Sequence, residues 1–346
     1  MSDQRARRPL IVPIFIPNQG CPHLCIFCQQ EKITDQSSRP VNGRRVREIL
    51  EEAVGSPGFK GEGRKEIAFY GGSFTNLSMD RISELLEAAA PYLSQGLFEA
   101  IRVSARPDAM DEGCLELMRR RGVDTVELGV QSMDDRVLEL SRRGHRAGDT
   151  VRAVQVLRKK GFKVGIQLMP GLPGDGEDIF RETVRKVIDL RPDMARLYPA
   201  IVIKGTALAL LYEENRFLPL TLERAVGICS ESCVMLEREG IPVIRIGLMS
   251  SPSLLEEGQI VAGPWHPSFG FLVRSDIHQK RIRRFLPRPG EAGSIRLRVP
   301  FREIPLVRGY KNRGLILIER ITGAEVRGVF GDETVPPGRA AFDRLS

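Results

Sequence analysis

The chain has 346 residues, 42% of them apolar and 28% charged, with a net charge of +8 and six cysteines. That length provides for one large domain and a small one with ample material for a buried core, and the composition is that of an ordinary soluble globular protein rather than a secreted disulfide framework. No apolar run approaches the roughly 18 residues of a membrane span, no signal peptide is evident, and the cysteine usage suits a reducing compartment, so a cytoplasmic protein without a membrane partner is expected.

In chain order, the polar and basic stretch Met1–Arg8 precedes an apolar run, Leu10–Ile16, that reads as a strand. Next comes Gly20-Cys21-Pro22-His23-Leu24-Cys25-Ile26-Phe27-Cys28, with three cysteines separated by three and then two positions. Thiolates this close can converge on one soft metal centre. A structural zinc site would need a fourth ligand, for which His23 is available; an iron–sulfur cubane on three cysteines leaves one iron free for a substrate or cofactor. Free or redox-active thiols are the third reading.

From Leu10 to about Leu248, short apolar runs alternate with amphipathic segments, the pattern of parallel strands joined by helical crossovers. Strands are predicted at Leu10–Ile16, Glu66–Tyr70, Ala100–Ser104, Thr125–Val130, Lys163–Leu168, Met194–Pro199 and Val243–Gly247. Helices are predicted near Arg44–Ala53, Met79–Tyr92, Glu112–Arg121, Asp149–Lys160, Asp178–Leu190 and Leu222–Glu239. Such a series closes wholly or partly into a barrel, whose chemistry sits at the carboxyl ends of its strands.

The strand ends are distinctive. The second leads into Gly71-Gly72, which would let backbone approach a ligand closely or simply make a tight turn. The third ends in Ser104-Ala105-Arg106-Pro107-Asp108, the fourth in Gly129-Val130-Gln131-Ser132, followed by Arg142-Arg143-Gly144-His145. The fifth ends in Gln167-Leu168-Met169-Pro170-Gly171-Leu172-Pro173-Gly174, a turn whose prolines and glycines fix its shape. Farther on, Gly263–Gly270 holds the only tryptophan, Trp265, which either lies across the barrel mouth or staples its loop to the barrel. Cys114, Cys229 and Cys233 read as core packing rather than a second cluster.

Proline and glycine concentrate between Phe285 and Gly293, so a boundary is expected there, giving units 1–285 and 286–346. The second is predicted as a strand (Ile295–Val299), a glycine turn, a helix (Arg313–Ile321) and a strand (Ala324–Val329). Residues 271–346 carry 16 Lys and Arg against 8 Asp and Glu, whereas residues 1–270 hold 36 of each. The whole charge excess is therefore local, as for a polyanion-binding surface or for a solvated face.

The cysteine spacing, with Phe27 before the last cysteine, resembles the signature of the radical S-adenosylmethionine (SAM) enzymes. From about Pro13 to Pro219 the Cys-Pro-His start, "ARPD", "VELGVQS", "RRGH", "GFKV", "MPGLPG" and "LYPAIVIKGT" resemble the catalytic subunit of the Elongator complex, which modifies wobble uridines of tRNA. The resemblance implies a partial (β/α)6-type barrel in which Cys21, Cys25 and Cys28 hold a 4Fe–4S cluster beside SAM. Gly71 and Gly72 would face the methionine amino group, Gln131 the ribose and Arg143 the carboxylate, with Ser104 and Gln167 near ribose and adenine. It also implies a one-electron donor such as flavodoxin or ferredoxin. The first two cysteines are closer together than in Elongator-type proteins, and the chain ends too soon for an acetyltransferase domain, so acetyl-CoA-dependent chemistry is not expected.

Val307-Arg308-Gly309-Tyr310-Lys311-Asn312 and the segment after it resemble a KH domain, an α+β RNA-binding module whose Gly-x-x-Gly loop clamps the nucleic-acid backbone. Here Asn312 replaces the second glycine, and Arg308, Lys311 and Arg313 surround the turn. The combined expectation is a radical SAM enzyme acting on RNA, tRNA by analogy. The alternative is an RNA-binding protein that keeps the barrel as a non-catalytic, metal-containing scaffold.

Overall fold

The computed structural model describes residues 9–36, 40–61 and 63–345; Met1–Arg8 lies outside the described residues. Six strands follow one another as expected: β1 (Leu10–Phe15), β2 (Lys65–Tyr70), β3 (Ala100–Ala105), β4 (Val123–Gln131), β5 (Lys163–Leu168) and β6 (Met194–Leu197). The two-residue β7 (Val202–Ile203) intervenes before β8 (Val243–Ile246) and pairs antiparallel with β9 (Ile260–Ala262). The main sheet runs β1-β2-β3-β4-β5-β6-β8, parallel throughout. With β1 and β8 at opposite ends of that order, the sheet curls into a partial barrel that does not close.

Period-two patterning decides what each face of this sheet does. Ile14, Ile67, Phe69, Ile101, Val103, Val126, Leu128, Val164, Ile166 and Leu197 point outward and are buried beneath the crossover helices in the main core. The alternate positions point inward and are largely polar: Glu66 and Tyr70, Arg102 and Ser104, Glu127 and Gln131, Gln167, Arg196. A closed barrel usually fills its interior with branched aliphatic side chains. Here that space is left to a charged layer and a cavity.

The helices start where their caps dictate. Asn42, Ser78 and Asp111 each accept a backbone amide three residues on, opening helices Gly43–Gly55, Met79–Ser94 and Glu112–Arg120. Among the described residues no helix is long and apolar enough to cross a membrane.

Beyond the proline- and glycine-rich stretch, β10 (Ser294–Val299) pairs parallel with β11 (Glu325–Gly331) and antiparallel with β12 (Ala341–Leu345). Ile295, Leu297 and Val299 point from β10 into a second core with Val307, Ile318, Ala324 and Ile282. Helices Ile304–Arg308 and Arg313–Thr322 flank the turn singled out in the sequence. Ile282 ends the helix Phe269–Ile282, whose Phe269 and Val273 belong to the main core, so this helix is shared by both cores. It buries Ser275, His278 and Gln279 as well as its apolar residues, and Ser275 Oγ donates to Leu306 O at 2.8 Å. With both sides covered it shows little amphipathic contrast, which is why periodicity did not reveal it.

Candidate active site

The cysteine loop and the Gly71-Gly72 turn are laced together by their backbones. Ser73 N donates to Gln19 O at 2.8 Å, and the Asn76 side-chain amide donates to Gly20 O at 2.7 Å. Gln30, two residues beyond the last cysteine, accepts the amides of Gly72 at 2.8 Å and Asn18 at 2.6 Å through its side-chain oxygen. The approach is so close that only glycine fits: a Cβ at Gly72 would fall 2.1 Å from Gln19 O and 2.8 Å from Ile16 O, at φ +33°. Ile26 N donates to Ser141 O and Ile26 O accepts from Leu208 N, so the cysteine loop is also fixed from its outer side.

One cavity of about 410 Å³ opens at the carboxyl ends of the strands. It is lined by Cys21, Cys25, Cys28 and Phe27, by Gly71 and Gly72, and by Ser104, Gln131, Arg143 and Gln167, so all ten residues marked in the barrel's sequence meet there. Gln131 holds φ +69°, a left-handed angle that a non-glycine residue adopts only where its surroundings enforce it. Gln167 Nε2 lies 3.4 Å from Gln131 Oε1.

The electrostatics of the cavity are those of buried thiols beside buried cations. Arg143, 6% exposed, donates from Nη1 to Cys25 Sγ at 2.9 Å and from Nη2 to Gly129 O. Arg106, paired with Asp108 at 2.8 Å, donates to Arg143 O at 2.6 Å. Arg143 Nε and Arg106 Nη1 are buried without a hydrogen-bond partner. Burial first, then the thiols of Cys25 and Cys21, push Cys28 up to about 12, and burial raises Cys21 as well. A cationic centre placed among such thiols would favour their thiolate forms. Unspent guanidinium donors, three thiols and a glycine cradle form a donor set that fits a thiolate-ligated cluster together with a ligand bearing an anionic group.

Part of the cavity's lining belongs to a charged layer that the sequence reading did not mark. Arg102 bridges Glu66 and Glu127, the latter at 2.9 Å; Arg196 reaches Glu127 at 2.8 Å and the Tyr70 hydroxyl at 2.6 Å; and Tyr70 donates to Glu127 at 3.0 Å. Gln30 and Arg106 were also unmarked. The signal available was charge at every second residue within strands that a parallel sheet would otherwise bury on both faces.

Among the described residues no three His, Cys, Asp or Glu side chains group closely enough to hold a single ion, and the His23 ring lies over Gly144. A cubane offers each thiolate its own iron, so its ligands stand farther apart than those of one ion. Trp265 packs with Ile201, Ile203 and Leu254, as a staple rather than a cover for the cavity. Cys114, Cys229 and Cys233 are buried in the main core. Arg308, Lys311, Asn312 and Arg313 are exposed around a turn in which Lys311 and Asn312 both take left-handed angles, φ +51° and +59°. They lie outside the cavity, but Tyr310 of that turn meets His266 edge-on at 4.8 Å, which seats the turn against the loop after β9.

Residues 15–187 match the family model of the Radical SAM superfamily, and residues 192–279 that of the Radical_SAM C-terminal domain. The chain is 29% identical over 261 residues to the tRNA uridine(34) acetyltransferase of Methanocaldococcus infernus, covering 64% of this chain and 48% of that protein. It is 28% identical over 255 residues to the heme chaperone HemW of Bacillus subtilis, covering 72% and 66%. The chain thus spans about half the length of the first of these relatives. Among solved structures, the archaeal Methanocaldococcus infernus Elp3 with an N-terminal deletion aligns at a TM-score of 0.59 and 24% identity, covering 78% of this chain and 63% of that one, a likeness of fold alone.

Proposed function

Because the chain belongs to the radical SAM superfamily, we propose that it is an enzyme that binds a 4Fe–4S cluster through Cys21, Cys25 and Cys28, binds SAM beside it, and abstracts a hydrogen atom from an RNA substrate. The single observation that carries this reading is the convergence of ten residues, drawn from the cysteine loop, four strand ends and the segment after helix Asp135–Leu140 that carries Arg143, on one cavity. When bound, the cluster and SAM supply reductive cleavage of a carbon–sulfur bond and the carbon radical that takes the hydrogen.

The chain's own residues hold and exclude. Gly71 and Gly72, with no side chain to intervene, offer backbone groups to the methionine amino group. Arg143, already buried and short of one partner, receives the carboxylate. Gln131, Ser104 and Gln167 face the ribose and adenine, and Phe27 closes the side next to the cysteines. Placement of the reactive carbon and exclusion of water are the protein's contribution to rate. We read residues 1–285 as the barrel unit and 286–346 as a KH-like unit whose Arg308, Lys311, Asn312 and Arg313 contact an RNA backbone. The tRNA-modifying relatives make tRNA the first substrate to test.

The test is anaerobic reconstitution followed by dithionite and SAM. Formation of 5′-deoxyadenosine is expected, and its absence from cluster-loaded protein overturns the enzymatic reading. A second reading, an RNA-binding protein with a non-catalytic metal-containing barrel, draws on the exposed basic turn and on a relative named as a chaperone. It predicts salt-dependent tRNA binding without 5′-deoxyadenosine, and salt-independent binding would remove its basis.

A further inference from the structure

The last strand of the main sheet turns an arginine inward that plain alternation would turn outward. In a regular strand Val243 and Arg245 share a face, and Val243 is buried in the main core. The register of β8 on β6 shifts between these two residues: Val243 stands opposite Ala195, Arg245 opposite the inward-facing Arg196, and Ile246 opposite the outward-facing Leu197. An irregularity of this kind re-aims a side chain. It brings Arg245, which is exposed, to the wall of the active-site cavity. Two arginines opposite each other on one face repel. Arg196 is offset by Glu127 and the Tyr70 hydroxyl, but Arg245 has no acidic partner among the described residues. The cavity offers it none, since the charged residues of the lining are Arg106, Glu127, Arg143, Arg196 and Arg245, and Glu127 is already shared by Arg102, Arg196 and Tyr70.

Tyr198, two residues beyond Arg196, lines the same cavity, and its hydroxyl is likewise unpartnered among the described residues. Across the unclosed edge of the sheet, β1 contributes Ile11, Pro13 and Phe15, an apolar wall. A free guanidinium and a free hydroxyl beside an apolar wall suit a flat ring that carries an anionic group. SAM does not supply that anion, because its carboxylate is assigned to Arg143 and its sulfonium is itself positive. Resting on the reading of RNA as substrate, we propose that Arg245, with Tyr198, binds the phosphate next to the target nucleoside, whose base and ribose enter the cavity along Ile11, Pro13 and Phe15. The planar fork of guanidinium donors matches two phosphate oxygens, a geometry that lysine lacks. Such a contact fixes where the chain lies and selects a nucleotide over a free nucleoside, without reading the base.

The experiment is anaerobic fluorescence anisotropy with cluster-loaded, SAM-bound full-length protein and a tRNA anticodon stem-loop as the probe. Arg245→Gln is expected to weaken binding by about tenfold, Arg245→Lys to recover part of the loss, and Tyr198→Phe to lose less than Arg245→Gln. Arg238→Gln, which removes an exposed arginine at the end of another helix, is expected to bind as the parent does. Because Arg245 is exposed and has no acid to strand, its variants should keep the parent's Tm and iron content. Stem-loops in which one phosphate at a time is replaced by a neutral methylphosphonate then locate the contact. At one position the replacement should cost the parent about as much as Arg245→Gln does, and should cost Arg245→Gln little more. If Arg245→Gln binds at the parent affinity, or if every replacement weakens parent and variant alike, the phosphate contact is overturned. Loss of SAM affinity in equilibrium dialysis with RNA affinity unchanged would assign Arg245 to the cofactor and overturn it equally. A parent that binds RNA but forms no 5′-deoxyadenosine overturns the enzymatic reading while the contact is still decided by the methylphosphonate series; a parent that does not bind the stem-loop overturns the RNA reading, and the contact falls with it.

Discussion

The side-chain oxygen of Gln30 accepts the Gly72 amide at 2.8 Å, and the same oxygen accepts Asn18 N. One neutral side chain thus ties the chain leaving β1 and the turn leaving β2 to the segment that follows Cys28. Replacing it with an apolar side chain leaves two backbone donors unserved, at a cost of about 1–3 kcal/mol for each buried one. Gln30→Leu is expected to weaken SAM binding by about tenfold or more, since 1.4 kcal/mol is a factor of ten. Gln30→Glu keeps an acceptor and should lose less. Anaerobic equilibrium dialysis with SAM, alongside iron analysis of both variants, reads the difference.

Gly71 and Gly72 should not respond equally to a methyl group. At Gly71 the nearest atom to an added Cβ is the side-chain oxygen of Gln30, 3.2 Å away, which need give only a few tenths of an ångström, whereas at Gly72 it is Gln19 O at 2.1 Å, a backbone atom with no room to retreat. Both hold positive φ, +85° and +33°, so both substitutions carry strain. Gly72→Ala is therefore expected to lower Tm more than Gly71→Ala and to abolish SAM binding, while Gly71→Ala retains part of it. Equal melting temperatures would show that the turn relaxes around the clash.

Glu127 is the acceptor on which the charged layer turns, since Arg102, Arg196 and Tyr70 all reach it. Its side chain and that of Arg102 are each 5% exposed. Removing the carboxylate charge leaves buried guanidinium groups undercompensated, and breaking such a pair costs about 3–5 kcal/mol. Glu127→Gln should lower the urea midpoint accordingly. Tyr70→Phe, which removes one neutral hydrogen-bonding group, should cost only about 1 kcal/mol. A shift for Glu127→Gln no larger than that for Tyr70→Phe would show that the arginines find water instead.

How far the sequence revealed this architecture follows from what leaves a periodic trace. The strands and crossover helices were legible because each has one apolar outer face; Lys163–Leu168 has the predicted bounds, and the other main-sheet strands shift at their ends by one or two residues. The cavity residues were legible because the cysteine spacing and strand-end motifs mark them. Gln30, Arg106 and the layer around Glu127 were not, because a residue that positions another leaves no spacing of its own. β12 was missed for a related reason: in Ala-Phe-Asp-Arg-Leu the two charges have no apolar alternation around them, and pairing with β10 decides its conformation. Tertiary partners, not local propensity, made these elements.

Asp175 gives the fold a pH dependence whose sign is opposite to that of a salt-bridged carboxylate. Burial pushes it up from 3.8 to about 6, against the pull of the Gly171 and Gly176 amides. A carboxyl whose folded pKa lies above its unfolded one binds protons better in the folded state, so its contribution is fully present below about 3.8 and is lost as pH rises through about 6. Asp175→Asn does not titrate. Its stability relative to the parent should therefore rise between pH 4 and pH 8, by roughly 1–3 kcal/mol. Urea unfolding of both proteins across that range measures it, and a constant difference would show that the folded pKa is not raised.

The turn at Gly309–Asn312 allows a separate test of whether its basic residues meet a phosphate backbone. Asn312 sits at φ +59° and Lys311 at φ +51°, both left-handed, and asparagine tolerates such an angle where a β-branched residue does not. Asn312→Gly is thus expected to preserve the fold and to leave RNA affinity unchanged or improved by opening the approach to the backbone, whereas Asn312→Val should destabilise the C-terminal unit. Arg308, Lys311 and Arg313 are exposed, so neutralising them removes charge without removing core. Each contact with a single-stranded phosphate contributes about 0.7 to the slope of log affinity against log salt. The triple variant R308Q/K311Q/R313Q should therefore lower that slope by about 2 for a tRNA anticodon stem-loop, with the loss spread evenly across sequences. Fluorescence anisotropy at several salt concentrations checks it, and an unchanged slope in a folded triple variant would assign the turn to packing against His266 alone.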